Sequence, residues 1–105
     1  MLIIETPVFT RLITRLMDDD HYRELQEVLI GNPDAGDVIP GSGGLRKLRW
    51  RLAGRGKRGG VRVIYYRVMT AGQIYMLYVY AKNVTDDLSR EQLKALREIV
   101  ERWTT

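Results

Sequence analysis

Residues 61–81 read VRVIYYRVMTAGQIYMLYVYA, two runs rich in β-branched and aromatic residues on either side of a short turn. Such runs favour strands, so the sequence predicts one strand over Val61–Met69 and another over Gln73–Ala81. Thr70-Ala71-Gly72 joins them as a tight hairpin, because its glycine accepts a positive φ. An antiparallel strand pair is therefore the centre of the predicted fold.

A further strand precedes the hairpin. Residues 45–51 read LRKLRWR, and alternation of this kind is typical of a strand with two different faces. One face carries Arg46, Leu48 and Trp50, and the other face carries Lys47, Arg49 and Arg51. The short apolar run Leu2-Ile3-Ile4 predicts one more strand at the start of the sequence.

Helix signals occupy the remaining segments. Thr6-Pro7 offers an N-cap followed by proline at the first helical position, and the apolar spacing extends this helix to about Met17. The acidic run Asp18-Asp19-Asp20 favours the start of a second helix, which Gly31 and Pro33 end. Ser89-Arg90-Glu91-Gln92 is a capping-box pattern that begins a final helix.

The predicted element order is β-α-α-β-β-β-α, with a loop over residues 32–44. This order predicts an α+β fold. Two N-terminal helices and a C-terminal helix pack on a small, mostly antiparallel, twisted sheet. We expect a single domain over residues 1–105.

The composition excludes several classes of protein. The 105-residue sequence has no cysteine, which rules out a disulfide framework, a thiol nucleophile and a thiolate metal site. No apolar run approaches the ~20 residues of a membrane span, and the opening MLIIETPVF lacks the basic start of a secretion signal. We therefore expect a soluble, cytoplasmic protein with no membrane partner.

The charges are unevenly distributed along the sequence. The net charge is +4, yet residues 38–85 carry 10 basic side chains and no acidic one, while residues 1–37 carry 3 basic and 8 acidic side chains. A segment whose charged side chains are all basic, on a folded domain, indicates an anionic partner, with nucleic acid as the leading candidate. The simpler interpretation is a solvated loop rich in lysine and arginine.

Several enzyme designs fit the sequence poorly. His21 is the only histidine, so a histidine-pair nuclease is excluded. The neighbouring aspartates at 18–20 are better explained as a helix N-terminus than as metal ligands. The run Gly54–Gly60 lacks the spacing of a phosphate-binding loop, and a magnesium site would need carboxylates from the acidic ends of the sequence. We expect no metal and no cofactor.

What remains is a cationic surface with aromatic neighbours. Arginines and lysines project from one strand face at steps of about 7 Å, a glycine-rich loop adds more, and some tyrosines of the hairpin can stack on bases. This combination suits single-stranded RNA better than a DNA groove. The residues predicted to contact RNA are Arg46, Arg51, Arg55, Lys57, Arg58, Tyr65, Tyr80 and Asn83.

Three motifs together resemble the HigB-like branch of the RelE/ParE toxin superfamily. They are GSGGLRKLR at 41–49, GRGKRGGVRVIYY at 54–66 and YVYAKN at 78–83. The family consists of the toxin halves of type II toxin–antitoxin operons. The resemblance implies a RelE-like fold and an endoribonuclease that cuts messenger RNA on the ribosome without a metal, which stops translation. It also implies a cognate antitoxin, expected to be a helix-turn-helix DNA-binding protein.

The resemblance also assigns catalytic residues. The family's active-site cations map onto Lys47, Arg49, Arg62 and Lys82, and we expect Arg62 to lie beside Lys47 or Arg49 across a strand pair. The 2′-hydroxyl of the RNA would attack the adjacent phosphate while arginines stabilise the developing charge. Either Lys47 or Lys82 would act as the base. Some relatives carry a tyrosine near the C-terminus, but this sequence has none after Tyr80, and Trp103 fits the apolar stripe of the last helix.

Two alternative functions share the predicted fold. A ParE-like member of the superfamily would poison DNA gyrase rather than cut RNA. A non-catalytic member would only bind RNA or its antitoxin. The number of cations at the predicted site favours RNA cleavage.

Overall fold

A computed structural model describes residues 1–52, 60–68, 72–83 and 87–104 of the protein. Within these residues, three helices and five strands follow one another, and they confirm the predicted α+β class. In order they are β1 (Leu2–Glu5), α1 (Pro7–Leu16), α2 (Asp19–Gly31), β2 (Asp37–Val38), β3 (Arg46–Trp50), β4 (Val61–Val68), β5 (Gln73–Ala81) and α3 (Arg90–Thr104).

The strands form one sheet in the order β1-β5-β4-β3-β2. β1 runs parallel to β5, and every other neighbouring pair is antiparallel. The predicted hairpin is therefore present as β4 and β5 at the centre of the sheet. Within its turn, Gly72 has a φ of +61°, while Thr70 and Ala71 lie outside the described residues.

Helices cover both faces of the sheet. On one face, Phe9 and Ile13 of α1 and Leu25 and Leu29 of α2 pack on apolar residues of β3, β4 and β5. On the other face, α3 packs on a second apolar cluster through residues such as Leu96. Because burial of this apolar area is what stabilises the layers, the sheet is held between two helical layers.

The helix starts follow from local hydrogen bonds that the sequence predicts. The Oγ1 of Thr6 accepts a hydrogen bond from the Phe9 amide at 3.0 Å, and Pro7 occupies the first turn of α1. Ser89 and Gln92 form the reciprocal pair of a capping box, at 2.9 and 3.1 Å. Each of these bonds satisfies an amide that the helix itself leaves unpaired.

The segment predicted as a loop over residues 32–44 contains the short strand β2. Asp37 pairs with Lys47 and Val38 pairs with Arg46. Two residues are too few to show the alternation that reveals a strand, so the sequence pattern missed it. Element ends also shift slightly: α1 stops at Leu16, and β3 spans Arg46–Trp50.

Among the described residues, no helix combines the length and the apolar character that crossing a bilayer requires.

Candidate functional site

Two arginines face each other across the central strands. Arg49 of β3 is the register partner of Arg62 of β4, and Arg62 is in turn the partner of Tyr80 on β5. This confirms the expectation that Arg62 lies beside Lys47 or Arg49. Like charges directly opposite each other on a sheet are destabilising, and Arg62 is only 6% exposed. An anionic ligand between the two guanidinium groups would relieve that repulsion.

Lys47 and Arg49 of β3 line a cavity of about 460 Å³ on the sheet face that α3 covers in part. Its floor is formed by β3, β4 and β5, and its sides are formed by the segment around β2 and by the start of α3. The lining residues are Asp37, Val38, Ile39, Pro40, Lys47, Arg49, Ile64, Tyr80, Asp87, Leu88 and Leu93. We call this space the cation cavity.

A carboxylate from a distant segment reaches the cation cavity. The Nζ of Lys47 donates a hydrogen bond to Oδ1 of Asp87 at 2.8 Å. This bond lowers the pKa of Asp87 below its ordinary value, and the charges of Lys47, Arg49 and Arg62 lower it further. The carboxylate of Asp87 therefore interacts electrostatically with three cations, which lie on β3 and β4.

Sequence reasoning did not find Asp87. It is 40 residues away from Lys47 along the chain, and no periodic pattern links the two. The available signal was indirect: residues 38–85 contain no acidic side chain, so any counter-charge for the block has to come from outside it.

Tyr80 belongs to the wall of the cation cavity. It is 6% exposed, and its ring centroid lies 6.0 Å from that of Tyr78. Its predicted contact with RNA would therefore be limited to the small part of the side chain that is exposed. The buried guanidinium of Arg62 donates to the Val61 carbonyl at 3.3 Å.

The structure does not bring Arg46 and Tyr65 to this site. Both lie on the opposite face of the sheet, because side chains alternate along β3 and β4. Tyr65 is fully buried; its hydroxyl donates to the Pro33 carbonyl at 2.8 Å and accepts from the Gly36 amide at 2.9 Å. The prediction that Tyr65 contacts RNA is wrong for this reason.

Arg46 is bound within the protein as well. Its Nη1 donates to the Gly36 carbonyl at 2.7 Å, and its Nη2 lies 3.3 Å from Oδ1 of Asp34. Asp34 also accepts from Arg67 at 2.8 Å, and these two arginines lower the pKa of its carboxyl. Arg46 therefore makes its contacts within the protein, on the sheet face opposite the cation cavity.

The remaining predicted residues lie at the ends of strands or outside the described part. Arg51 directly follows β3, and Lys82 and Asn83 directly follow β5; all three are exposed. The backbone amide of Lys82 donates to the Gly60 carbonyl at 3.1 Å. This hydrogen bond joins the start of β4 to the end of β5, next to Arg62. Arg55, Lys57 and Arg58 lie outside the described residues.

Residues 1–52, 60–68, 72–83 and 87–104 contain no group of three or more histidine, aspartate or glutamate side chains placed to hold a metal ion. Asp18, which the sequence places beside His21, caps α2 by accepting from the His21 amide at 2.9 Å. That carboxylate has a structural role at the helix start.

Comparisons with known proteins agree on the fold. Residues 1–105 match the model of the family described as RelE toxin of the RelE/RelB toxin–antitoxin system. Among solved structures, a chain of the intact E. coli RelBE toxin–antitoxin complex is similar with a TM-score of 0.55 and 13% sequence identity. The similarity covers 76% of this chain and 94% of that chain. At this low identity, the structural likeness establishes the fold alone.

Proposed function

Because the chain belongs to the RelE family of toxins, we propose that it is a ribosome-dependent endoribonuclease that cuts messenger RNA and so stops translation. The observation that carries this proposal is the pairing of Arg49 with Arg62 across β3 and β4, where Arg49 lines one cavity together with Lys47 and Tyr80. Such a cluster of guanidinium and ammonium groups suits a phosphodiester in RNA. The HigB-like motifs support placing the chain in that branch.

The reaction is an internal transfer of the phosphate. The 2′-oxygen of the RNA forms a bond to the adjacent phosphorus and the bond to the 5′-oxygen breaks, which yields a 2′,3′-cyclic phosphate and a free 5′-hydroxyl. Negative charge builds on the non-bridging oxygens during this step. Arg49 and Arg62 stabilise that charge, since paired guanidinium donors match phosphate oxygens. No metal or cofactor takes part in the proposed reaction.

Two proton transfers accompany the reaction. Lys47, whose Nζ donates to Asp87, is the candidate donor of the proton that the leaving 5′-oxygen takes up. Lys82 is the remaining candidate for the base that accepts the proton of the 2′-hydroxyl. The ribosome supplies the geometry by holding the message in line for attack, which places the proposed activity in the cytoplasm.

The experiment that tests the proposal measures protein synthesis, DNA synthesis and RNA cleavage. After induction of the chain, protein synthesis measured by pulse labelling should fall before DNA synthesis, and primer extension should locate new 5′ ends in messages. Purified protein should cut message with ribosomes present and should keep that activity in EDTA. Loss of DNA synthesis first, with gyrase-linked breaks, would contradict the proposal and favour a gyrase poison.

We further propose that an antitoxin binds this chain and neutralises it, and that it is a helix-turn-helix DNA-binding protein. An apolar groove of about 480 Å³ between the start of α1, β5 and α3 supports a protein partner. Val8 and Trp103, each 39% exposed, belong to it. Ala95→Glu, inside the groove, should weaken co-purification with the product of the adjacent gene, whereas Lys94→Glu on the same helix should not. Equal retention by both variants would place the antitoxin elsewhere.

A further inference from the structure

The cation cavity contains an anion that belongs to the chain itself. The carboxylate of Asp87 accepts from the Lys47 ammonium at 2.8 Å, and it senses the charges of Arg49 and Arg62 as well. These are the same three cations that the proposed function assigns to a phosphate of RNA. A carboxylate and a phosphate accept the same charge-assisted hydrogen bonds, so the two anions compete for one set of donors.

The fold fixes Asp87 at this place. The next residue, Leu88, lines the cavity and packs against the apolar cluster beneath α3. Ser89 then starts α3 through its capping box with Gln92. The backbone on the C-terminal side of Asp87 is therefore anchored, while its side chain is 76% exposed at the mouth of the cavity.

We propose that Asp87 is an internal competitor for the RNA phosphate: in the free chain its carboxylate holds Lys47, and a bound phosphodiester takes its place. Exchange of partners is feasible because exposed ion pairs are weak, whereas an incoming phosphate meets Arg49 and Arg62 together with Lys47. The choice of RNA as the competing anion rests on the proposed function. The consequence is that the free chain binds isolated RNA less tightly than its cations alone would allow.

The competing explanation is an ordinary surface ion pair that leaves ligand binding unaffected. Asp34 provides a matched control for this case. It is also an exposed aspartate paired with cations, Arg46 and Arg67, but it lies on the opposite face of the sheet. Replacing either aspartate with asparagine changes the net charge equally, so a difference between the two variants reports the position of the carboxylate.

The test measures binding of an RNA trinucleotide that cannot be cleaved, because hydrogen replaces its attacking 2′-hydroxyl. Titrations at fixed ionic strength follow the unmodified chain, Asp87→Asn, Asp34→Asn and Lys47→Ala, with circular dichroism to verify folding. We expect Asp87→Asn to lower the Kd about fivefold, the upper range for loss of an exposed pair. Asp34→Asn should stay within about twofold of the unmodified chain, and Lys47→Ala should raise the Kd.

The inference is overturned if Asp87→Asn binds no tighter than Asp34→Asn, or if it does not bind the trinucleotide. This assay contains no ribosome and measures no cleavage, so it is separate from the test of the proposed function. A chain that fails to cut message on ribosomes while Asp87→Asn still binds more tightly would refute the endoribonuclease and retain the competitor. If the chain cuts message on ribosomes but Asp87→Asn binds no more tightly, the endoribonuclease is retained and Asp87 forms only an ordinary ion pair.

Discussion

At the scale of single residues, alternation along a strand decides which charged groups meet. In β3, Lys47 and Arg49 alternate with the apolar Leu48 and Trp50, so the sequence correctly separates these two cations from Arg46, which shares the apolar face. In β4 the same reasoning fails, because residues on both faces are buried and the pattern does not indicate which face is which. The pattern therefore does not separate Tyr65, which belongs to the core beneath α1 and α2, from the tyrosines that could face RNA.

The first prediction tests this correction. Tyr65→Phe removes a hydroxyl that bonds to Pro33 and Gly36, which leaves a partly buried carbonyl and a buried amide without that partner. We expect a loss of about 1–3 kcal/mol in the free energy of unfolding, measured by urea denaturation, and an unchanged cleavage rate per folded molecule. Tyr66→Phe, the same deletion on the other face, is the control. A lower cleavage rate at full stability would restore Tyr65 to the site.

At the scale of elements, local signals predict where helices start, and longer-range contacts decide how strands register. Thr6 and the capping box at Ser89 are visible in a few consecutive residues, and both are confirmed. The register that sets Arg49 opposite Arg62 also depends on the connection between β3 and β4. Gly60 ends that connection with a φ of +66°, and its carbonyl accepts from Lys82.

The second prediction concerns this glycine. A Cβ on Gly60 would overlap the Trp50 carbonyl oxygen and lie 2.9 Å from the Cα of Arg51, so the β3 and β4 backbones would have to separate. Gly72 has a similar φ of +61° but nothing within 4 Å of its Cβ position. Thermal and urea unfolding should show a cost of about 1–2 kcal/mol for Gly72→Ala and of about 3 kcal/mol or more for Gly60→Ala. Equal losses of unfolding free energy in the two variants would mean that the close approach of β3 to Gly60 does not add to the cost.

At the scale of the whole molecule, the acidic ends of the sequence supply counter-charges to the basic centre. Asp34 pairs with Arg67 and Arg46 on one face of the sheet, and Asp87 pairs with Lys47 on the other. The sequence shows the imbalance between its segments, but it cannot show which acid meets which base, since those pairs depend on the folded path of the chain. The sequence therefore predicts the cations of the cation cavity, but it does not predict that Asp87 supplies a carboxylate there.

The third prediction is a pH dependence of stability. Arg67 and Arg46 lower the pKa of Asp34, so the ionised carboxylate stabilises the folded state above the unfolded-state pKa of about 3.9. This contribution disappears as the pH falls through the lower, folded-state pKa. Urea denaturation between about pH 6 and pH 3 should show a steeper loss for the unmodified chain than for Asp34→Asn. Parallel curves for the two proteins would contradict the pairing.

The most direct test of the endoribonuclease is single-turnover cleavage of message at saturating ribosomes. Arg49→Ala and Arg62→Ala each remove a cation proposed to contact the phosphate; Arg49 is exposed, so its variant tests chemistry even if loss of the buried Arg62 disturbs folding. Arg97→Ala, which removes an arginine paired with Glu101 on α3, is the control. We expect rates about 100- to 1,000-fold lower for the first two variants and an unchanged rate for the control. Cleavage by Arg49→Ala and Arg62→Ala at the rate of the unmodified chain would contradict the account and leave the cation cavity a binding surface only.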